Sequence, residues 1–89
     1  MAKQISFSKN DKGFWETTIV SEGNCMALQI MREKPGTLLV YGNIDGMNKI
    51  MIEDYGPGAD CNQLIEVDIP KDVTITVVSY TEVTDAKIV

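Results

Sequence analysis

A hydroxyl or thiol nucleophile needs a base beside it, and this chain contains no histidine to serve as one. Ser6, Ser8, Ser21 and Ser79 fall in strand or turn contexts without a neighbouring base, so they read as structural hydroxyls. Cys25 opens an apolar run and Cys61 closes a glycine-rich loop. Two thiols so far apart make no disulfide framework, and an unpaired cysteine behaves mostly as a small hydrophobe. Among carboxylates, Glu53-Asp54 and Asp60 bracket the loop best suited to form a mouth. Glycoside hydrolysis needs two such groups at a set separation across a cleft, which a chain of 89 residues rarely builds. Asn43, Asp45 and Asn48, and separately Asp54 and Asp60, offer oxygens to a hard cation. Their spacing does not match the twelve-residue calcium loop, and Asn or Asp beside Gly is ordinary turn chemistry. The glycines are dispersed over turns, and none is followed by the lysine and hydroxyl of a phosphate-binding loop. The expectation is a protein without catalysis, metal or cofactor.

Binding chemistry is better represented. Phe14-Trp15 places one large aromatic on each face of a single strand, because successive strand side chains point to opposite sides. One face must be core, so the other invites a partner. Met31 and Met51 fall opposite the expected core positions of their own strands. Together with Phe14 and Trp15 they are candidates for a plastic apolar subunit interface. The competing use of the aromatics is a ligand platform of Trp15, Tyr41, Tyr55 and Tyr80 for carbohydrate or peptide, provided several share one exposed face.

Composition bounds both readings. The chain is 44% hydrophobic and 24% charged, as expected of one folded domain, and a single core of this size gains from self-association. A net charge of −5 with scattered lysines excludes a phosphate-backbone footprint and an anionic membrane surface. The opening Met1-Ala2-Lys3-Gln4-Ile5-Ser6 has no apolar signal region and no run reaches the length of a membrane span, so cytoplasmic synthesis is expected.

The elements that must position these residues are strands. Gln4 to Ser8 alternates, Asn10-Asp11-Lys12-Gly13 is a hairpin turn, and the Trp15 strand follows. Ser21-Glu22-Gly23-Asn24 breaks the chain. Cys25 to Arg32 then carries Met26, Leu28 and Ile30 on its core face. Lys34-Pro35-Gly36 turns into an antiparallel strand from Thr37 to Gly42. After Asn43-Ile44-Asp45-Gly46 comes Lys49-Ile50-Met51-Ile52, apolar on both faces and therefore expected to be covered on both. Tyr55 to Asp60 is loop, since two glycines flank a proline. Leu64 to Val67 and Val73 to Glu82 are expected to close the fold as a pair, with 83–89 a tail that frays or docks on a neighbour. The sum is a single all-β domain over 1–89: a small antiparallel β-sandwich, jelly-roll-like, of about seven strands. Its expected core is Ile5, Phe7, Trp15 or Phe14, Ile19, Met26, Leu28, Ile30, Leu38, Val40, Ile50, Ile52, Leu64, Val67, Val73, Ile75 and Val77.

This succession of a short polar lead-in, the Phe14-Trp15 strand, the Lys34-Pro35-Gly36 and Asn43-Ile44-Asp45-Gly46 turns and the Ile69-Pro70-Lys71-Asp72-Val73 joint resembles the small β-sandwich and jelly-roll proteins that decorate tailed-phage capsids or form head fibres. The resemblance is one of architecture. It implies a virion surface protein, often trimeric, that contacts itself and other virion proteins and catalyses nothing. Two function classes therefore lead: a self-assembling structural protein, and a carbohydrate- or peptide-binding module.

Overall fold

The computed structural model describes residues 2–23 and 25–89; Met1, and Asn24 of the expected Ser21–Asn24 break, lie outside the described residues. The described residues form nine strands: β1 Lys3–Gln4, β2 Ser8–Lys9, β3 Trp15–Val20, β4 Met26–Arg32, β5 Leu38–Ile44, β6 Ile50–Asp54, β7 Gln63–Val67, β8 Val73–Ser79 and β9 Val83–Ile88. They build two antiparallel sheets packed as a sandwich, one ordered β1-β9-β4-β7 and the other β2-β3-β8-β5-β6. Among the described residues no helix is long and apolar enough to cross a membrane.

Alternation explains the core. On β4, Met26, Leu28 and Ile30 point inward against Val67 and Ile65 of β7 and Ala86 of β9. The facing sheet contributes Leu38 and Val40 of β5 with Ile75 and Val77 of β8, all nearly inaccessible. Expected strand Gln4 to Ser8 is split: Lys3–Gln4 pairs in one sheet and Ser8–Lys9 in the other. Between them Ile5 and Phe7 pack on the core as the chain crosses. That crossing, together with the pairing of the last residues, raises the strand number from about seven to nine.

Among the described residues only β2–β3 and β5–β6 are hairpins; every other connection crosses between the sheets. The Asn10–Gly13 turn forms as its residues predict, with Gly13 at φ 84° and the Asn10 side-chain oxygen accepting from the Lys12 and Phe14 amides at 3.0 Å each. Lys34-Pro35-Gly36 carries β4 into the opposite sheet, so β5 lies between β8 and β6 and is not the hairpin partner of β4. Likewise β7 pairs with β4 while β8 runs between β3 and β5, so the expected closing pair does not exist. The residues expected as a frayed tail form β9, an interior strand paired with β1 and β4.

Three core expectations are corrected. Ile50 and Ile52 are exposed, because β6 is the edge strand of the five-stranded sheet and all five of its residues lie open. Leu64 is exposed too, since the inward positions of β7 are Ile65 and Val67. In their place Ala59, Ile65 and Ala86 complete the core.

Candidate functional site

Register settles the Phe14-Trp15 question. Trp15, Thr17 and Ile19 sit opposite Ser79, Val77 and Ile75 and face inward, so Phe14 faces outward with Glu16 and Thr18. Trp15 is only half-buried, because it lies at the end of the sandwich beyond the main cluster, with the Lys9 ammonium 5.3 Å from its ring centroid. It lines a cleft of ≈ 380 Å³ with Glu33, Lys34, Tyr80, Thr81, Glu82 and Thr84.

The interior at that end is polar. Arg32, the next inward position after Met26, Leu28 and Ile30, is buried and makes six hydrogen bonds. Its Nε donates to the Cys61 carbonyl at 3.3 Å. Its Nη1 donates to the Gly36 carbonyl, the Ser79 hydroxyl and the Thr81 hydroxyl, and its Nη2 to the carbonyls of Ala59 and Asp60. Burial pulls the guanidinium pKa down, partly opposed by Cys61. Among the described residues no carboxylate pairs with Arg32; carbonyl and hydroxyl dipoles solvate its charge instead. Arg32 thus pins the Tyr55–Asp60 loop and the Gly36 turn to the sandwich. The period-two pattern running on from Ile30 was the signal for an inward arginine.

The outer face of the five-stranded sheet holds the aromatics. Phe14 and Tyr80 stack with ring centroids 3.8 Å apart and planes 2° from parallel. Tyr41 lies further along the same face, its ring 5.7 Å from the Lys49 ammonium. Tyr41 and Tyr80, with Phe14, thus line one groove of ≈ 540 Å³. Tyr55 is not part of it: its ring packs on the core from the opposite side of the sheet. The four-residue platform is therefore divided, and Phe14 takes the place of Trp15 and Tyr55 in the groove.

The interface candidates divide as well. Met51 lies on β6, opposite Tyr41. Met31 lies on β4 in the other sheet, half-buried, with its sulfur accepting from the Gln29 amide at 3.5 Å. The two methionines form no common surface, because their strands belong to different layers. Met51 faces outward with Tyr41, and on the opposite face of the β5–β6 hairpin the structure gathers Ile44, Met47, Ile50 and Ile52, all exposed. Ile44, Met47, Ile50 and Ile52 line an apolar groove of ≈ 390 Å³ that is floored by Ile69 and Val73. Ile52 reaches over Gly42, where an added Cβ would meet its Cδ1 at 2.7 Å, so glycine there lets the side chain lie flat on the sheet.

Ser21 and Ser79 are buried and hydrogen-bonded to backbone carbonyls, and the Asp54 carboxylate accepts from the Gly56 amide at 2.8 Å, shaping the loop. Among the described residues no three His, Cys, Asp or Glu side chains converge as a metal cluster.

No family model and no curated protein sequence matches the chain. Among solved structures the chain is similar to an exo-β-1,3-galactanase from Phanerochaete chrysosporium with galactose, at 9% identity and a TM-score of 0.38. The alignment covers 99% of this chain and 26% of that one, so the chain spans about a quarter of its length. A likeness this slight carries no argument about function.

Proposed function

We propose that this chain is a non-catalytic structural protein that assembles with further copies of itself through the β6 edge. The observation that carries this reading is the run of exposed apolar side chains there: Ile44 at 66% exposure, Met47 at 67%, Ile50 at 73%, Met51 at 46% and Ile52 at 48%. Scattered exposed hydrophobes are normal, but Ile44, Met47, Ile50 and Ile52 share one groove, with Met51 on the other face of the same edge strand, and an edge strand apolar on both faces is a place for a partner.

Charge selects a second copy in a definite orientation. Lys49 precedes β6 and Glu53-Asp54 end it. Two β6 strands placed antiparallel bring the lysine of each against the carboxylates of the other, and Ile50 against Ile52. A parallel arrangement would set like charge on like. Such a contact is isologous and closes as a two-fold pair. The irregularity opposite Val40 and Tyr41 adds a residue to β6 and shortens any backbone ladder, which leaves the apolar side chains as the larger contribution.

The capsid-decoration and head-fibre proteins that the sequence resembles provide the setting we propose, a building block of a virion surface. A trimer of the kind that resemblance implies uses a second contact surface in addition to, or in place of, the two-fold β6 contact. Light scattering coupled to size exclusion tests the self-association. Masses of two or more subunits, falling on dilution, are expected; a monomer at high concentration refutes it.

A further inference from the structure

The outer face of a two-layer sandwich normally meets water and is polar. Here Val78 and Leu39, both on the outer face of the five-stranded sheet, are only 8% and 7% exposed. The rings of Phe14, Tyr80 and Tyr41 stand around this apolar floor and enclose a groove of ≈ 540 Å³, within the size range of small-ligand sites. Phe14 backs one face of Tyr80, holding that ring upright as a wall.

Polar groups border the rings. The Asn10 amide donates to one Glu16 carboxylate oxygen at 3.2 Å while its own oxygen is taken up by the Lys12 and Phe14 amides, so the pair is fixed and the second Glu16 oxygen is left to receive a hydroxyl proton. Asp11 and Glu16 are balanced by Lys12 and Lys49 around the groove, in a chain whose net charge is −5. The local balance favours a neutral ligand. The groove lies over β3, β8 and β5, each of which has a strand on both sides. A peptide recognised as an added strand needs an unpaired sheet edge, and the groove offers none. A saccharide matches what is offered, since a sugar ring presents a C–H face to an aromatic ring and hydroxyls to an amide and a carboxylate.

We infer that the Phe14–Tyr80–Tyr41 groove is a binding site for a neutral saccharide. The site shares Lys49 with the proposed β6 contact but none of the residues lining the Ile44–Met47–Ile50–Ile52 groove, and it does not require assembly.

Native electrophoresis of the full chain through gels containing galactomannan, hydroxyethylcellulose or pullulan tests the site, with polygalacturonate as the charged counterpart. Retardation by at least one neutral polysaccharide is expected, weakened at least tenfold in Tyr80→Ala and Tyr41→Ala. Glu16→Gln removes a groove acceptor without removing apolar contacts, and the same weakening is expected there even if an alanine variant fails to fold. Ile50→Asp keeps the retardation whatever its oligomeric state, which separates failure of this site from failure of self-assembly. No retardation by the three neutral polysaccharides, retention by polygalacturonate alone, or retardation unchanged in Tyr80→Ala and Glu16→Gln overturns the inference.

Discussion

Replacing Ile50 with aspartate separates assembly from folding. Ile50 is 73% exposed in the single chain, so the substitution removes little buried area and is expected to change monomer stability by no more than about 0.5 kcal/mol. In an assembled pair the same side chain is covered, and complete burial of an isoleucine is worth about 1.5–3 kcal/mol. Scaling by the exposed fraction leaves about 1–2 kcal/mol per copy, or about 2–4 kcal/mol for the two copies in a two-fold contact. At about 1.4 kcal/mol per decade, the dissociation constant rises about a hundredfold before any cost of burying two carboxylates is added. Sedimentation equilibrium measures the constant, while circular dichroism and urea unfolding report on the fold. An unchanged β spectrum with a monomeric mass is expected. An unchanged association constant would refute the β6 contact. Loss of folding would show that Ile50 is buried within the single chain.

Arg32→Met removes a buried guanidinium and takes its donors from the carbonyls of Gly36, Asp60 and Cys61, leaving Ala59 only the Gly36 amide, an expected loss of about 3–5 kcal/mol in urea unfolding. A domain of this size has about 4–13 kcal/mol in total, so the variant is expected to be marginal, and a loss below about 1 kcal/mol would deny the staple. Asn10→Ala deletes the acceptor of the Lys12 and Phe14 amides, and a loss of about 1–2 kcal/mol is expected from thermal unfolding. Burial, and then the Glu53 carboxylate, raises the Tyr55 phenol above its ordinary pKa of 10.0. The unfolded chain therefore releases this proton first, so the Tyr55 contribution is intact below about pH 10 and is lost as pH rises through the folded value. In Tyr55→Phe the fall in urea midpoint between pH 9 and pH 11 is expected to be shallower than in the parent chain; equal slopes would exclude Tyr55 as its source.

Much of the fold was legible because it is local. Asn10 to Gly13 specifies a hairpin through a side-chain acceptor and a residue free to take positive φ, and both act within the turn. Met26, Leu28 and Ile30 declare one face of one strand through alternation alone. The same rule, carried one step further, marks Arg32 as inward, although an arginine on an apolar face looks like the end of the pattern. The aromatic groove was half legible. Tyr41 and Tyr80 are recognisable as platform residues, but joining them to Phe14 and separating them from Tyr55 and Trp15 requires strand register, since one residue of shift exchanges the faces.

By itself, then, the sequence determined an all-β chain, its turn positions, several core faces and the lack of a histidine-based chemistry, because composition, alternation and turn conformation act over a few neighbouring residues. Only the tertiary structure decided that Lys34-Pro35-Gly36 crosses between layers, that Val83–Ile88 is an interior strand, and that Met31 and Met51 lie in different sheets. It also decided that Ile50-Met51-Ile52 is open. A strand apolar on both faces reads as buried when only its own residues are considered. Whether anything covers it depends on its place at the edge of the five-stranded sheet, and that place is set by pairings between residues far apart in the chain.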